Sequence, residues 1–291
     1  MKGVSIIVTA WHTEKYIEEC LESIQNQTYF KTHKGYEILV GVDGCENTLN
    51  KLKDIADKYK NLTVYYFEEN VGTYIVTNTL CNIAKYDYLI RFDSDDIMKE
   101  DMVEKMIKHI TEKDCDYVIP KTTELKSKNR EKMAQGHILL KKSVFTKFGG
   151  FRPFICGADS ELQTRLRPYI KISILPGSVS YFRTHDNSLT TKSNTGIKSE
   201  YRKKVADFIA WETHYLKSEG DAIIQCITAN PKKLLEDGTL SDTIGITVEE
   251  HNNDNDLYER WKKSGRVKDV HINCYKKYPT VKASAGYSVF Y

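Results

Sequence analysis

The first half of the chain alternates between two spacings of apolar residues. Short runs rich in β-branched residues predict strands over residues 4–9, 36–42, 62–67 and 88–92. Between these runs, apolar residues recur every three or four positions and predict amphipathic helices over residues 16–24, 49–59 and 73–84. The predicted order is therefore strand and helix in regular alternation, ending on a strand.

Such alternation, with near-continuous apolar strands, is typical of an α/β fold in which a Rossmann-like, mostly parallel sheet carries helices on both faces. Ligands in this class bind beyond the carboxyl ends of the strands. Thr9, Asp43, Asn70 and Asp93 stand at the ends of the four predicted strands. We therefore expect these four polar side chains to converge on one edge of the sheet.

The alternation stops near residue 196. A further helix is predicted over residues 197–216 and is ended by Gly220, after which the pattern is less regular. An acidic stretch at residues 249–259 precedes a basic one that includes Lys262 and Lys268. The sequence thus predicts a domain over residues 1–195 and a partly helical accessory segment over residues 196–291.

Composition narrows the classes of function. The 43 Lys and Arg residues nearly balance the 40 Asp and Glu residues, and a net charge of +3 is too small to indicate by itself that the protein binds nucleic acid or membranes. No apolar run approaches the roughly 20 residues of a membrane span. The cysteines are odd in number, scattered and never in a C-x-x-C pair, which predicts free thiols in a cytoplasmic protein. They are Cys20, Cys45, Cys81, Cys115, Cys156, Cys226 and Cys274.

Three carboxylates, Asp93, Asp95 and Asp96, follow the fourth predicted strand within four positions. Carboxylates crowded at a strand end repel one another, so the run favours a divalent cation with phosphate ligands. The alternative is an exposed acidic turn that caps a helix beginning near Lys99. The G-x-G-x-x-G motif of dinucleotide-binding folds is absent, because Thr9-Ala10-Trp11-His12 follows the first strand, and no P-loop motif is present either. The remaining interpretation of the site is a nucleotide that is held by carboxylates and a metal ion.

Several motifs together resemble the family 2 glycosyltransferases of GT-A fold. They occur in the family's order and spacing and cover about the first 190 residues. The motifs are the first strand with residues 16–28, Val42-Asp43-Gly44, Asn70-Val71-Gly72, Asp93-Ser94-Asp95-Asp96, Phe148-Gly149-Gly150-Phe151, Gly157-Ala158-Asp159-Ser160-Glu161-Leu162 and residues 181–188. Where the family often has Ala-Arg-Asn, this chain has Val76-Thr77-Asn78 and so lacks a cation that could help hold a diphosphate.

The resemblance implies a role for each matching position. Asp95 would be the metal ligand, with His185 close to the metal or the diphosphate, and Asp159 would be the catalytic base. The cofactor would be Mn²⁺ or Mg²⁺. The donor-binding residues would be Thr9, Ala10, Trp11, Asp43, Asn70, Asn78, Asp93 and Ser94, with Asp43 hydrogen-bonded to uracil.

These implications describe a metal-dependent, inverting enzyme that transfers a sugar from a UDP-sugar to the hydroxyl group of a glycan or another acceptor. Two alternatives stay open. The first is a non-catalytic protein that binds nucleotide sugars. The second is an enzyme that transfers the sugar to a hydroxylated base in DNA, and the only sequence feature in its favour is the group of basic residues from Lys262 to Lys268. Some of these residues could instead have a purely structural role. Asp159 could cap a helix with Arg165 as a surface neighbour, Glu161 is the second candidate for the base, and Trp11 could be a packing residue.

Overall fold

In the computed structural model, residues 3–127, 129–185 and 188–246 are described. Eleven strands of this part of the chain form one sheet. The strands are β1 (Val4–Ala10), β2 (Tyr36–Asp43), β3 (Leu62–Phe67), β4 (Tyr88–Asp93), β5 (Ile97–Met98), β6 (Tyr117–Glu124), β7 (Glu131–Met133), β8 (Leu139–Lys141), β9 (Ile172–Phe182), β10 (Lys232–Leu234) and β11 (Leu240–Thr243).

The helices flank this sheet and follow the predicted amphipathic segments. They are α1 (Ile17–Gln25), α2 (Thr28–Thr32), α3 (Glu46–Ile55), α4 (Thr73–Ile83), α5 (Met102–Glu112), α6 (Lys142–Phe148), α7 (Ala158–Leu166) and α8 (Glu200–Tyr215). Two short 3-10 turns, Ala56–Lys58 and Glu219–Ala222, complete the regular structure of the described residues.

The centre of the sheet is parallel. Its strand order is β11-β10-β3-β2-β1-β4-β8-β6-β9-β5, and β7 pairs with β6. β1 runs parallel to both β2 and β4, and β2 runs parallel to β3, whereas β8 and β10 are antiparallel additions on either side. Thr9 pairs with Asp93 across the β1–β4 ladder, so the carboxyl ends of these strands lie side by side.

Both faces of the sheet are covered, as the apolar strands predict. Alternate residues of β1 enter two separate cores: Ile6 and Val8 pack with α1, α3 and α5, whereas Ile7 packs with α4, α6, α7 and α8. Because successive side chains of a strand point to opposite faces, a strand buried on both sides is apolar at most positions, and the buried polar side chains of β1 and β2, Ser5 and Glu37, hydrogen-bond each other. The α/β fold with a mostly parallel sheet is confirmed.

The observed boundaries agree closely with the predicted ones in the first half of the chain. β3 matches its predicted range, and β1, β2 and β4 each extend one residue further at the carboxyl end. The helix after the acidic run begins at Met102 rather than near Lys99, because β5 intervenes and pairs with β9. The acidic run is therefore a turn between two strands, and the helix has its N-cap at Asp101.

The accessory segment is described as far as residue 246, and its division from the rest at residue 195 stays a prediction. α8 buries Val205, Phe208 and Trp211 in the same core as α7. β10 extends the sheet by pairing with β3. The acidic and basic stretches from residue 249 to Lys268 lie outside the described residues.

A buried group of four charged side chains joins α8 to the first 195 residues. In this four-charge cluster, formed by Arg152, Glu161, Arg165 and Glu212, Arg152 Nη2 lies 2.7 Å from Glu212 Oε1 and its Nε lies 3.2 Å from Glu161 Oε1. Arg165 also pairs with Glu161 and donates to the carbonyl oxygens of Gly150 and Ala222. Arg165 is fully buried, so the interpretation of Arg165 as a surface neighbour of Asp159 is wrong.

Two further predictions concern the chain as a whole. Six cysteines of the described residues are free and buried, as expected from their spacing, and Cys274 lies outside that part of the chain. Among the described helices, none combines the length and the apolar character required to cross a membrane.

Candidate functional site

A cavity of about 520 Å³ opens at the carboxyl ends of β1, β2 and β4. The sequence-predicted residues that line it are Thr9, Ala10, Trp11, Asp43, Asn70, Asp93, Ser94, Asp95, Asp159 and His185. The cavity also collects the cationic side chains of Arg91, Lys132, Arg183, Lys192 and Arg202. Carboxylates and cations therefore meet in one concave site, which suits a ligand with both hydrogen-bond donors and negative charge.

Asp43 ends β2 and holds the loop that follows β3. Its Oδ1 accepts the backbone N–H of Val71 at 2.6 Å, and Gly72 donates to both carboxylate oxygens. The side-chain amide of Asn70 donates to Oδ2 at 3.2 Å. Burial raises the pKa of Asp43 to about 7, although the N–H groups of Val71 and Gly72 act in the opposite direction. The carboxyl group thus titrates near neutral pH inside the cavity.

The close approach of these loops depends on Gly44. Its φ is 62°, a value that residues with a side chain rarely adopt, and a Cβ atom there would lie 2.3 Å from the backbone nitrogen of Asn70. A residue other than glycine would push the two loops apart and move Asn70 away from Asp43.

Arg91 is a cation that the sequence reading did not select. It lies in β4, two residues before Asp93, and its Nη2 is 2.8 Å from Asp93 Oδ1. Nη1 donates to the carbonyl oxygen of Gly136 at 2.7 Å, and Nη2 also reaches Thr73 Oγ1 at 3.3 Å. Burial is the largest single influence and opposes the charge, but Asp93, Tyr74 and Asp159 together outweigh it, and the pKa of Arg91 is raised. Arg91 therefore stays charged and forms an ion pair with Asp93 in the cavity lining.

Asp95 and His185 meet from opposite sides of the cavity. Asp95 lies in the turn after β4, whereas His185 follows β9, and His185 Nε2 is 2.8 Å from Asp95 Oδ2. Both side chains remain partly accessible, with exposed fractions of 21% and 17%. The imidazole ring also packs against Tyr16 with ring centroids 5.1 Å apart. An accessible carboxylate beside an imidazole can bind a divalent cation.

A second carboxylate–imidazole pair lies deeper. His137 Nε2 is 2.8 Å from Asp96 Oδ2, while Asp96 Oδ1 accepts the backbone N–H of Arg183 at 2.8 Å. His137 Nδ1 is 3.0 Å from Ser180 Oγ. Asp93, Asp96 and His137 bring ligand atoms within 4.8 Å of one another and could also hold a metal ion. No pattern in the sequence marks His137, because it lies in an irregular segment before β8.

Asp159 lies in the first turn of α7, at the cavity wall. Its Oδ1 accepts the backbone N–H of Ser160 at 2.9 Å and the hydroxyl group of Tyr74 at 3.3 Å. Burial raises the pKa of Tyr74 well above its ordinary value, so this hydroxyl stays protonated and donates. Both contacts engage Oδ1, and the other oxygen carries neither of them. The N-cap residue of α7 is Gly157, so Asp159 is not the cap.

Two sequence-selected residues lie outside the cavity lining. Asn78 is fully buried in α4; its amide donates to the carbonyl oxygens of Phe151 and Ile227, and its Oδ1 accepts the N–H of Phe151. Its hydrogen-bonding groups are thus engaged by Phe151, in the loop before α7, and by Ile227, after the second 3-10 turn, and not by the cavity. Glu161 is fully buried in the four-charge cluster, which removes it as a candidate base.

The remaining predicted residues form the rim between β1 and β4. Thr9 Oγ1 is 2.8 Å from Thr73 Oγ1, and Ser94 Oγ donates to Thr13 Oγ1 at 3.1 Å. Trp11 is 37% exposed, so it is not a core packing residue. Lys192 Nζ lies 4.3 Å from the centre of its indole ring. An exposed ring at a strand end offers a surface on which a flat ligand group can stack.

The model of the family described as glycosyl transferase family 2 matches residues 5–187. Among curated proteins, "Glycosyltransferase GlyG" of Streptococcus pneumoniae is 34% identical over 117 residues. This match covers 40% of the present chain and 38% of that protein, so the chain spans well under half of this relative's length.

Solved structures of low sequence identity share the fold. TarS of S. aureus in complex with UDP-GlcNAc superposes with a TM-score of 0.62 at 17% identity, over 77% of this chain and 70% of that one. The mannosyltransferase PcManGT from Pyrobaculum calidifontis, in complex with GDP-Man and Mn²⁺, gives a TM-score of 0.56 at 15% identity, over 76% and 71%. The architecture is therefore that of the GT-A transferases.

Proposed function

Because the chain belongs to glycosyl transferase family 2, we propose that it transfers a sugar from a UDP-sugar to an acceptor hydroxyl group with inversion at the anomeric carbon. The observation that carries the proposal is the single cavity in which five side chains, Asp43, Asp93, Asp95, Asp159 and His185, converge from four places in the sequence. The set offers polar groups for a nucleotide, a possible metal site for a diphosphate, and a carboxylate for a reacting hydroxyl group.

The nucleoside half of the donor is assigned to the β1–β2 side of the cavity. Asp43 would accept the uracil N3–H, and Trp11 would offer its exposed ring to the base or the ribose. Thr9, Ala10 and Asn70 would complete the walls, and Asp93 and Ser94 would contact the ribose and the diphosphate. Asn78 is left out of this proposal because it faces Phe151 and Ile227.

The diphosphate needs positive charge. Where related sequences often have arginine, Thr77 is fully buried and donates to the carbonyl oxygen of Thr73. Arg91 reaches Thr73 from β4 and brings a guanidinium group to the start of the same helix. We therefore assign to Arg91 the positive charge that position 77 lacks.

A divalent cation, Mn²⁺ or Mg²⁺, fits the chemistry of the Asp95–His185 pair. These side chains are accessible to an ion that arrives with the donor, whereas Asp96 and His137 already hold Arg183 and Ser180 in place. When bound, such an ion stabilises the negative charge that develops on the leaving UDP. We assign Asp96 and His137 to support of the turn that carries Asp95.

Asp159 is the proposed general base. Its carboxylate would take the proton of the acceptor hydroxyl as that oxygen bonds to the anomeric carbon and the bond to the β-phosphate oxygen breaks. Tyr74 and Ser160 hold Oδ1, which fixes the orientation of the carboxylate and leaves the other oxygen for the incoming hydroxyl. One displacement with one base accounts for the proposed inversion.

A screen of nucleotide sugars tests this function. We expect Mn²⁺ or Mg²⁺ to support the release of UDP from at least one UDP-sugar, slowly with water and faster with an acceptor, and we expect no release from GDP- or CMP-sugars. Free nucleotide is measured in each reaction. Tight binding of a UDP-sugar without release in the presence of any acceptor or metal would instead favour a non-catalytic binding protein.

The pKa of Asp43 gives a prediction for donor binding. Below a pH of about 7 the group is protonated, and above it the carboxylate accepts the uracil N3–H as a charge-assisted hydrogen bond. We expect the parent to bind UDP about five- to tenfold more tightly than Asp43→Asn above this pH, and about equally below it. The ratio of the two Kd values is measured by calorimetry across the pH range. Titration of the phosphate affects both proteins alike, and a ratio that is constant with pH would exclude the contact.

A further inference from the structure

A second cluster of potential metal ligands lies beside the cavity but is not part of its lining. His12 and Glu14 follow β1, and Cys45 is the N-cap residue of α3 after β2. One ligand atom from each of the three lies within 4.8 Å of the other two. The cluster is open on one side, since His12 is exposed, Glu14 is half-buried and Cys45 is buried.

One contact within the cluster already has the spacing of two ligands around a bound ion. Cys45 Sγ lies 3.4 Å from His12 Nδ1, within the roughly 3.3–3.8 Å that separates two ligands around tetrahedral zinc. Thr48 Oγ1 lies 3.4 Å from Cys45 Sγ and 3.2 Å from Glu14 Oε2, and its one proton can be donated to either of them. Such a supporting group is typical of metal ligands in proteins.

The backbone directs His12 toward this cluster. Its φ is 54°, in the left-handed region, which is unfavourable for a residue with a side chain. The conformation brings the imidazole ring next to Cys45 on the neighbouring loop, while Trp11 and Thr13 on either side of it line the cavity. The short loop of residues 11–13 therefore contributes both to the cluster of His12, Glu14 and Cys45 and to the lining of the cavity.

We infer that His12, Glu14 and Cys45 form a binding site for Zn²⁺, with water as the fourth ligand. The ligand set of sulfur, nitrogen and oxygen suits zinc, whereas the aspartates of the cavity are hard ligands that suit Mn²⁺ or Mg²⁺. Binding would deprotonate the thiol, and the proton would pass to solvent while the imidazole binds through Nδ1 in its neutral form.

Zinc at this site would join the loop after β1 to the start of α3. Trp11 and Thr13 would then be held in one arrangement, so we expect an effect on donor affinity. That effect rests on the proposed function, whereas the metal site itself does not. The two are therefore tested by separate measurements.

Titration with Co²⁺ tests the site directly, because a cobalt–thiolate bond has an intense charge-transfer absorption that oxygen ligands lack. We expect one equivalent of Co²⁺ to produce this band in the full chain and Zn²⁺ to abolish it. Cys45→Ser should lose the band, and so should His12→Asn, since asparagine accepts the left-handed conformation and leaves the fold unchanged. Cys115→Ser, a buried thiol elsewhere, and Asp95→Asn should keep it.

Two outcomes would overturn the inference: absence of the band in the parent, or its persistence in His12→Asn and Cys45→Ser. If Cys45→Ser does not fold, His12→Asn decides alone, because His12 is exposed. The Kd of UDP with and without one equivalent of Zn²⁺ is measured separately. A cobalt–thiolate band in a protein that releases no UDP would support the zinc site and contradict the proposed transferase activity.

Discussion

Replacing Asp159 by Asn is expected to lower kcat by about 10²- to 10⁴-fold while the donor KM changes little. Asparagine has nearly the same shape and can still accept the hydrogen bonds of Tyr74 and Ser160 through Oδ1. It cannot accept a proton from the acceptor hydroxyl. The loss should therefore appear in the chemical step and not in the binding of the nucleotide, as measured by steady-state kinetics with varied donor.

Neighbouring variants serve as controls for Asp159→Asn. Ser160→Ala removes a hydroxyl group that contacts Gln135 and should change kcat by less than about threefold, because it leaves the base in place. Tyr74→Phe removes the donor to Oδ1 and should have an intermediate effect. Transfer by Asp159→Asn at nearly the parental rate would contradict the assignment.

The second large effect is expected for the metal. Removal of divalent ions with EDTA, or the substitution Asp95→Asn, should lower turnover by at least about 10²-fold and weaken UDP binding, because the charge on the leaving group is then unopposed. Added Mn²⁺ should restore the EDTA-treated parent but not the variant. Binding of Mn²⁺ with UDP is measured by calorimetry, and turnover by release of UDP.

Matched substitutions separate the two carboxylate–imidazole pairs. Asp101→Asn makes the same chemical change at the N-cap of α5, where the carboxylate pairs with Lys105, and should leave metal binding unchanged. His185→Gln should weaken the affinity for Mn²⁺, whereas His137→Gln should mainly lower stability, since His137 is buried between Asp96 and Ser180. The reverse result would assign the ion to Asp93, Asp96 and His137.

The sequence was sufficient to predict the layout of the central sheet and most of the cavity rim. A strand buried on both faces is apolar at most positions, and this constraint makes β1 to β4 recognisable from their runs of apolar residues. The ends of such strands are equally readable, because the first polar residue after an apolar run marks the place where the strand leaves the core. Thr9, Asp43 and Asp93 were found in this way.

The cavity residues that were not predicted are held in place by contacts with residues that are distant in the sequence. Arg91 lies inside an apolar strand and depends on Gly136, whose carbonyl oxygen accepts its hydrogen bond and where a Cβ atom would lie 2.4 Å from Asp93 Oδ2. His137 is placed by the pairing of β8 with β4, which periodicity does not reveal. Periodicity shows which side of an element is buried, but not which element covers it, so the contacts of Asn78 with Phe151 and Ile227 were not foreseen.

The four-charge cluster limits how this chain can exchange parts with its relatives. A recombinant that joins residues 1–195 to an unrelated C-terminal segment would lose Glu212 and leave Arg152 and Arg165 to share Glu161, so that the buried cluster would carry one positive charge in excess. An uncompensated buried charge costs about 3–5 kcal/mol, a large share of the 5–15 kcal/mol that stabilises a typical domain. Recombination is therefore tolerated only when the incoming segment carries a carboxylate at the position of Glu212. The helix that bears it would then be inherited together with the loop of Arg152, even though the two are 60 residues apart.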